Sequence, residues 1–447
     1  MIADATQVLR AVRRLAPAAL FLALLPAAAG AGPWTLERVL EVARERDPQV
    51  RAARARGEAG RAEGAAALSS LSPRASLTAG AIRGDDPALL FSQKLRQGRF
   101  TAADFAPPSL NQPPAATALE WGFTVEQPLW NGGAEVTAPG LAAQLGRAAS
   151  GAERAGVADA LLSAVAVFLD AVRAEEALRA DSIALAAADE GARAAASRFR
   201  MGQVPELDTL RASARAAEAR AGWLGRERDR GVALARLSRL VGESMDGTEL
   251  VAPAGTADAA DVPAPAGAAR GRGEMVAARA RAAAEATAAR RAGLSLLPSL
   301  NARAGLNRYR DSQGGAWARR WSAGLSLDLP LWDGARRIEE WRAAKARARA
   351  AAAEAEALER ELAVAVEAAA ADRTVARGRR DAMRHARDAS GEALRLALDR
   401  YRAGLLPLGE LLNAGAEAAR ARQAQVEAGV GVTLAHYRYL HATGGLR

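Results

Sequence analysis

Apolar and polar residues alternate with a period of two in four places along the chain. Leu77, Ala79 and Ala81 alternate with Ser76, Thr78 and Gly80, and Trp121, Phe123 and Val125 alternate with Gly122, Thr124 and Glu126. In the second half Leu300, Ala302, Ala304 and Leu306 oppose Asn301, Arg303, Gly305 and Asn307, while Ala323, Leu325 and Leu327 oppose Ser322, Ser326 and Asp328. Each run predicts a strand of about ten residues with one apolar face, the length a tilted transmembrane strand needs; alternation alone fits an amphipathic sheet on a soluble core equally well. Between the strands the period changes. Leu141, Leu145, Ala148, Ala152, Ala155, Ala158, Leu162, Val165, Leu169 and Val172 recur at gaps of three and four, the seam of a coiled coil. This predicts a helix from about Pro139 to Met201 and a counterpart from Gly334 to Arg402, each ~90–100 Å long at 1.5 Å per residue. Two shorter helical stretches, Pro48 to Leu71 and Pro205 to Gly242, together match one long helix, so a rod of paired helices interrupted at mid-height is expected.

The pattern is duplicated. Val50-Arg51-Ala52-Ala53-Arg54-Ala55-Arg56 recurs as Met275-Val276-Ala277-Ala278-Arg279-Ala280-Arg281, and Pro73 recurs as Pro298, both at an offset of 225. Pro128-Leu129-Trp130-Asn131-Gly132 recurs as Pro330-Leu331-Trp332-Asp333-Gly334, and Arg198-Phe199-Arg200-Met201-Gly202 as Arg400-Tyr401-Arg402-Ala403-Gly404, both at an offset of 202. The 23 extra residues of the first copy must lie between Pro73 and Pro128, where Pro107, Pro108, Pro113 and Pro114 predict an irregular loop over 85–114. The expected organisation is a leader at 1–31, a first repeat at 32–242, a Gly-, Pro- and Ala-rich linker at 243–273 and a second repeat at 274–447. Within the first repeat a helix precedes a hairpin at about 75–127, a long helix at about 139–201 and a helix at about 205–242. The second runs as helix about 274–297, hairpin about 299–329, long helix about 334–402 and helix about 407–443.

Composition narrows the function. Aromatics make up 4% of 447 residues and there is no cysteine, which excludes disulfides, thiolate metal sites, a cysteine nucleophile and a lipidated N-terminal cysteine. The three histidines, His385, His436 and His441, form no cluster in sequence, and neither a metal nor a cofactor is expected. The net charge of +10 is spread along helices beside Glu and Asp, without a basic block, and does not point to nucleic acid. Arg10, Arg13 and Arg14 precede an apolar run from Leu15 to Ala29, and Ala29-Gly30-Ala31 offers a small-x-small cleavage site, so the N-terminus reads as an export signal. No later stretch reads as a transmembrane helix. Asp85-Asp86 and Glu175-Glu176 are adjacent carboxylates without a catalytic setting, and no enzyme motif is found.

Four strands cannot close a barrel, and unpaired edges cannot face lipid, so membrane strands would require several chains to share one barrel. Trp121, Trp130, Tyr309, Trp317, Trp321 and Trp332 lie near strand ends, where aromatic girdles meet a membrane interface. With Thr35-Leu36-Glu37, Arg46-Asp47-Pro48, the duplicated Pro-Leu-Trp motif and Arg400-Tyr401-Arg402-Ala403-Gly404-Leu405, in this order behind an export signal, the chain resembles the TolC-type outer membrane efflux protein family over nearly its whole mature length. The resemblance implies a mixed α/β membrane protein: a homotrimer in which four strands per chain make a twelve-stranded outer-membrane barrel, continued by an α-helical barrel across the periplasm. It implies a passive exit duct that meets a periplasmic adaptor and an inner-membrane pump of RND, ABC or MFS type and exports drugs, metals or other toxic compounds. Type I protein secretion is the alternative within the class, and a soluble periplasmic coiled-coil adaptor the alternative outside it.

Residue by residue, the resemblance assigns Gly202, Gln203, Val204, Gly404, Leu405 and Leu406 to periplasmic tips that adaptor hairpins grip. Glu410 and Asn413 match positions that line the family's closed aperture, and Asp208 stands at the corresponding helix start of the first repeat. Gly273 occupies a position where the family usually has proline, which implies a softer helix start.

Overall fold

A computed structural model describes residues 33–447 except Ser70, Asp246, 254–266, Gln313 and Arg447; the leader expected at 1–31 and the middle of the linker lie outside the described residues. The first elements are α1 (Leu36–Arg46) and α2 (Pro48–Ser69), then β1 (Arg74–Gly84), α3 (Pro87–Gln97), α4 (Pro107–Asn111) and β2 (Ala116–Asn131). Two helices follow, α5 (Ala134–Arg200) and α6 (Glu206–Val241). The second repeat adds α7 (Gly273–Leu294), β3 (Ser299–Asp311), β4 (Gly314–Asp328), α8 (Arg336–Arg402) and α9 (Leu408–Ala442). The fold is therefore mostly helical with one antiparallel sheet of order β1-β2-β3-β4, in which the hairpins of the two repeats pair through β2 and β3. Both β1 and β4 are left as edges.

The motifs at the N-terminus are caps. The Thr35 hydroxyl accepts the Arg38 N–H at 3.4 Å and so starts α1. Buried Asp47 accepts the Gln49 N–H at 2.7 Å at the head of α2. Helix α1 delivers Leu36, Val39, Leu40 and Ala43 to the main core, built with Leu161, Val165, Phe168, Leu169 and Val172 of α5 and Leu237 and Val241 of α6. Trp34 adds a short parallel bridge to Leu250, donating to Glu249 O at 2.9 Å and accepting from the Val251 N–H at 3.0 Å. Mid-height, where the short helices end, is thus where most of the large buried side chains gather. Contrary to expectation, one stretch after the leader, within α5, is apolar enough to cross a membrane as a helix. In the fold α5 instead buries Leu161 and Phe168 against α1 and α6.

The longest helices both have 67 residues, and α5 begins at Ala134, earlier than Pro139, which lies inside its second turn. At the sixth helical position this proline forfeits the bond an N–H would donate to Glu135 O, a single lost bond close to the helix start. Helix α7 begins at Gly273, and this glycine does not loosen it: a Cβ there would lie 2.5 Å from both Gly151 O and Ala155 N. A Cβ on Gly151 would in turn lie 2.6 Å from Ala277 N. The backbones of α5 and α7 therefore touch at a Gly–Gly crossing.

Candidate functional site

One face of the sheet is apolar and bare. Register pairs Ala79 with Trp121, Leu77 with Phe123, Phe123 with Leu306 and Leu306 with Trp321, which puts these side chains on the same side. Leu77, Trp321, Leu325 and Leu327 are each 70% or more exposed, and Leu331 and Trp332 extend this surface toward the helices. Trp130 and Trp332 sit at the helix end of the apolar face, and Trp121, Trp317 and Trp321 at the far end. Tyr309 departs from this set. It pairs with Glu120 and Ala318 on the polar face, where Arg96 covers its ring at 5.5 Å, so the period of two places it opposite the tryptophans.

The residues over 85–114, expected as an irregular loop, fold as a cap. Asp86 accepts the Leu89 N–H at 2.8 Å, Pro87 occupies the first helical turn, and Gly98 ends α3 at φ 68°. Phe91, Phe100 and Phe105 meet edge to face at 4.6, 4.9 and 6.3 Å between centroids. Lys94 Nζ lies 2.5 Å from Asp104 Oδ1, and the Thr101 N–H and hydroxyl donate to the other carboxylate oxygen. Lys94 first, then Thr101, hold the Asp104 carboxyl down to about 2, so this carboxylate stays ionised at any pH well above that. The cap lies on the polar face of the sheet. Arg99 pairs with Asp311 at 3.0 Å, Arg320 reaches Leu95 O at 3.5 Å, and Ala118 is buried beneath. Between cap and sheet is a cavity lined by Leu90, Phe91, Gln93, Ala118 and Asp311, and the buried Gln93 Oε1 faces no donor.

At the opposite end the two tips share one geometry. The Gln203 N–H donates to Arg198 O at 2.9 Å and the Gly202 N–H to Phe199 O at 2.9 Å; Leu405 donates to Arg400 O at 2.9 Å and Gly404 to Tyr401 O at 3.0 Å. This is the Schellman closure, with Gly202 at φ 72° and Gly404 at φ 75°. Arg198 covers the Tyr401 ring at 4.6 Å, and Tyr401, Leu411 and Leu412 pack against Ala195 and Ala212, which joins the two tips. Leu405 stands out at 76% exposed; Gln203 is exposed, Val204 and Leu406 half-buried. Glu410 and Asn413 lie on exposed positions one turn apart at the start of α9, and Asp208 is half-buried at the start of α6. Glu410 pairs with no basic side chain among the described residues.

Mid-height holds a cluster that spacing in sequence does not reveal. Asp159, Glu274 and His441 bring one ligand atom each within 4.8 Å of one another. His441 Nε2 lies 2.8 Å from Asp159 Oδ1, and Arg272 grips Glu274 at 2.5 Å. Burial, the largest single influence, would raise the Glu274 carboxyl, but the Arg272 hydrogen bond, a backbone hydrogen bond and the neighbouring positive charge together hold the group below its usual range. Nearby, burial and then the Arg373 and Arg377 charges press the His436 ring below its usual value. These groups fasten the C-terminal turn of α9 to α5 and α7; three helices from distant parts of the chain contribute, which no local motif records.

Residues 266–438 match the family described as outer membrane efflux protein. Among solved structures the chain is similar to the Campylobacter jejuni CmeC outer membrane channel, at 17% identity and a TM-score of 0.77, covering 92% of this chain and 86% of that one. It is similar also to the Vibrio cholerae outer membrane protein VceC, at 20% identity and a TM-score of 0.74, covering 92% and 96%. The open state of the Neisseria gonorrhoeae MtrE outer membrane channel gives 21%, 0.73, 92% and 89% in the same order. These identities speak for the fold. No curated protein sequence matches the chain.

Proposed function

We propose that the chain, whose residues 266–438 match the outer membrane efflux protein family and whose fold is that of outer membrane channels, is the outer-membrane exit duct of a tripartite efflux system of the TolC type. The observation that carries this reading is the sheet. One face is bare and apolar, the other is polar and capped, and both edges are open. Such a sheet is stable in lipid only when other copies close its edges, and three copies give the twelve strands of a barrel with the polar face inside. The long helices continue the barrel into the periplasm, and small toxic compounds handed over by an inner-membrane pump leave through it.

The tips are the adaptor contacts in this account, since Leu405 is apolar, exposed and held rigid. The absence of native cysteine makes the test clean. Gln203→Cys and Leu405→Cys should each cross-link to a periplasmic adaptor co-expressed with its pump, whereas a cysteine at exposed Val364, midway along α8, should not. Equal cross-linking at all three positions counts against tip docking. Glycines 202 and 404 are left in place because a side chain at positive φ would strain the turn.

Threefold symmetry would bring three Glu410 carboxylates toward one axis, where repulsion or a bound cation governs the aperture. Glu410→Ala should raise basal conductance in planar bilayers and weaken block by divalent cations by roughly tenfold. Unchanged leak together with unchanged cation block would remove Glu410 from the gate and leave it as a helix-start residue.

A further inference from the structure

The apolar face ends at a row of arginines. Along β2 the apolar face spans nine positions from Trp130 to Trp121, past the irregularity at Pro128. At ~3.3 Å per residue and a tilt of ~40° this is a band of ~23 Å, close to the height of a barrel's apolar belt. Immediately beyond it, on the same face, stand Arg83 of β1, Arg308 and Arg310 of β3 and Arg319 of β4. Register fixes this placement: Arg308 pairs with Trp121 and with Arg319, Arg310 with Leu119, and Arg83 with Thr117.

Nothing among the described residues neutralises the row. No carboxylate pairs with any of the four among the described residues, and the buried Nε atoms of Arg308 and Arg310 have no hydrogen-bond acceptor. Arg308 and Arg319 face each other directly, an arrangement that costs stability unless an anion separates them. The polar face of the same strands is built differently, for there Arg99 meets Asp311 and Arg303 meets Glu126. Trp121 lies under the Arg308 guanidinium at 5.5 Å and Trp317 under Arg310 at 4.9 Å, which holds both planes in place.

We propose that Arg83, Arg308, Arg310 and Arg319 form a docking surface for the phosphate groups of outer-leaflet saccharolipids. The row continues the lipid-facing belt and lies at the end of the sheet away from the helices, so it meets the headgroups of the outward leaflet. Guanidinium forks match phosphate oxygens in pairs, and a headgroup with two phosphates would neutralise facing arginines such as 308 and 319 together. The proposal rests on the barrel reading above.

The test uses purified trimer and its Arg308→Gln/Arg310→Gln/Arg319→Gln variant in proteoliposomes of phosphatidylethanolamine with and without bisphosphorylated lipid A. Native mass spectrometry then counts lipid retained per trimer. Wild type should retain lipid A roughly tenfold better than the variant, and better than the same lipid stripped of phosphate. Inorganic phosphate at millimolar concentration should not displace it. Equal retention by wild type and variant, or retention independent of the lipid's phosphates, overturns the proposal, and full displacement by inorganic phosphate makes the surface an anion site without a lipid. A wild-type chain that forms no trimer in the membrane overturns the barrel reading itself, an outcome distinct from trimers that ignore the lipid.

Discussion

Gly273→Val is expected to destabilise the assembled duct and lower the temperature at which it dissociates. The substitution puts a branched Cβ 2.5 Å from Gly151 O and Ala155 N, against backbone that cannot rotate away as a side chain would. Helices α5 and α7 would have to part by about an ångström along a contact made only of small residues, at a cost of ~3 kcal/mol or more per chain. Gly151→Val meets the same wall from the other side, with Ala277 N at 2.6 Å. The double variant should therefore cost less than the two singles combined, because once the helices have parted the second side chain enters space already opened. Gly429→Ala is the matched contrast. That helical glycine has nothing within 4 Å of its missing Cβ, and alanine there should stabilise by ~0.5–1 kcal/mol. Thermal dissociation of the trimer, followed by gel mobility, reads all four variants. A Gly273→Val trimer that dissociates at the wild-type temperature would mean that the crossing is not tight.

Removing the cap should open the exit of the duct. Gly84 and Ala116 pair at the ends of β1 and β2, so a short Gly-Asn turn can replace residues 86–114 without disturbing the strands. In the proposed trimer three caps would lie on the inward, polar face, each tied down through Arg99–Asp311 and through Arg320 to Leu95 O. Deletion should raise single-channel conductance several-fold and sensitise cells to large antibiotics that the outer membrane excludes. Arg99→Ala and Arg320→Ala, which loosen the cap and leave it folded around its three phenylalanines, should give a smaller rise in the same direction. Unchanged conductance after deletion would place the caps outside the path of the solute.

Much of this architecture is legible in the sequence because it is periodic and duplicated. The period of two gives the sheet, the gaps of three and four give the long helices, and the repeated Arg-x-x-x-Gly turns give the tips. What escapes is non-local or masked by composition. The proline count over 85–114 suggests an irregular loop, although Asp86-Pro87, Gly98 and Thr101-x-x-Asp104 are helix start and stop signals that mark the cap locally. Tyr309 reads as a girdle residue by position along its strand, and parity with Arg308 and Arg310 is what moves it to the other face. Gly273 reads as a weak helix start because its partner, Gly151, lies far away in the chain. The Asp159–Glu274–His441 cluster is hidden for the same reason, each member coming from a different helix.

The central claim is that the four strands of one chain are a third of a membrane barrel. Expression in a diderm bacterium, separation of inner and outer membranes and electrophoresis of unheated and heated samples test it directly. The account predicts a species of three chains in the outer membrane that collapses to monomer on boiling; a monomer released with the soluble periplasmic fraction would contradict it and leave the chain a coiled-coil protein that never enters lipid.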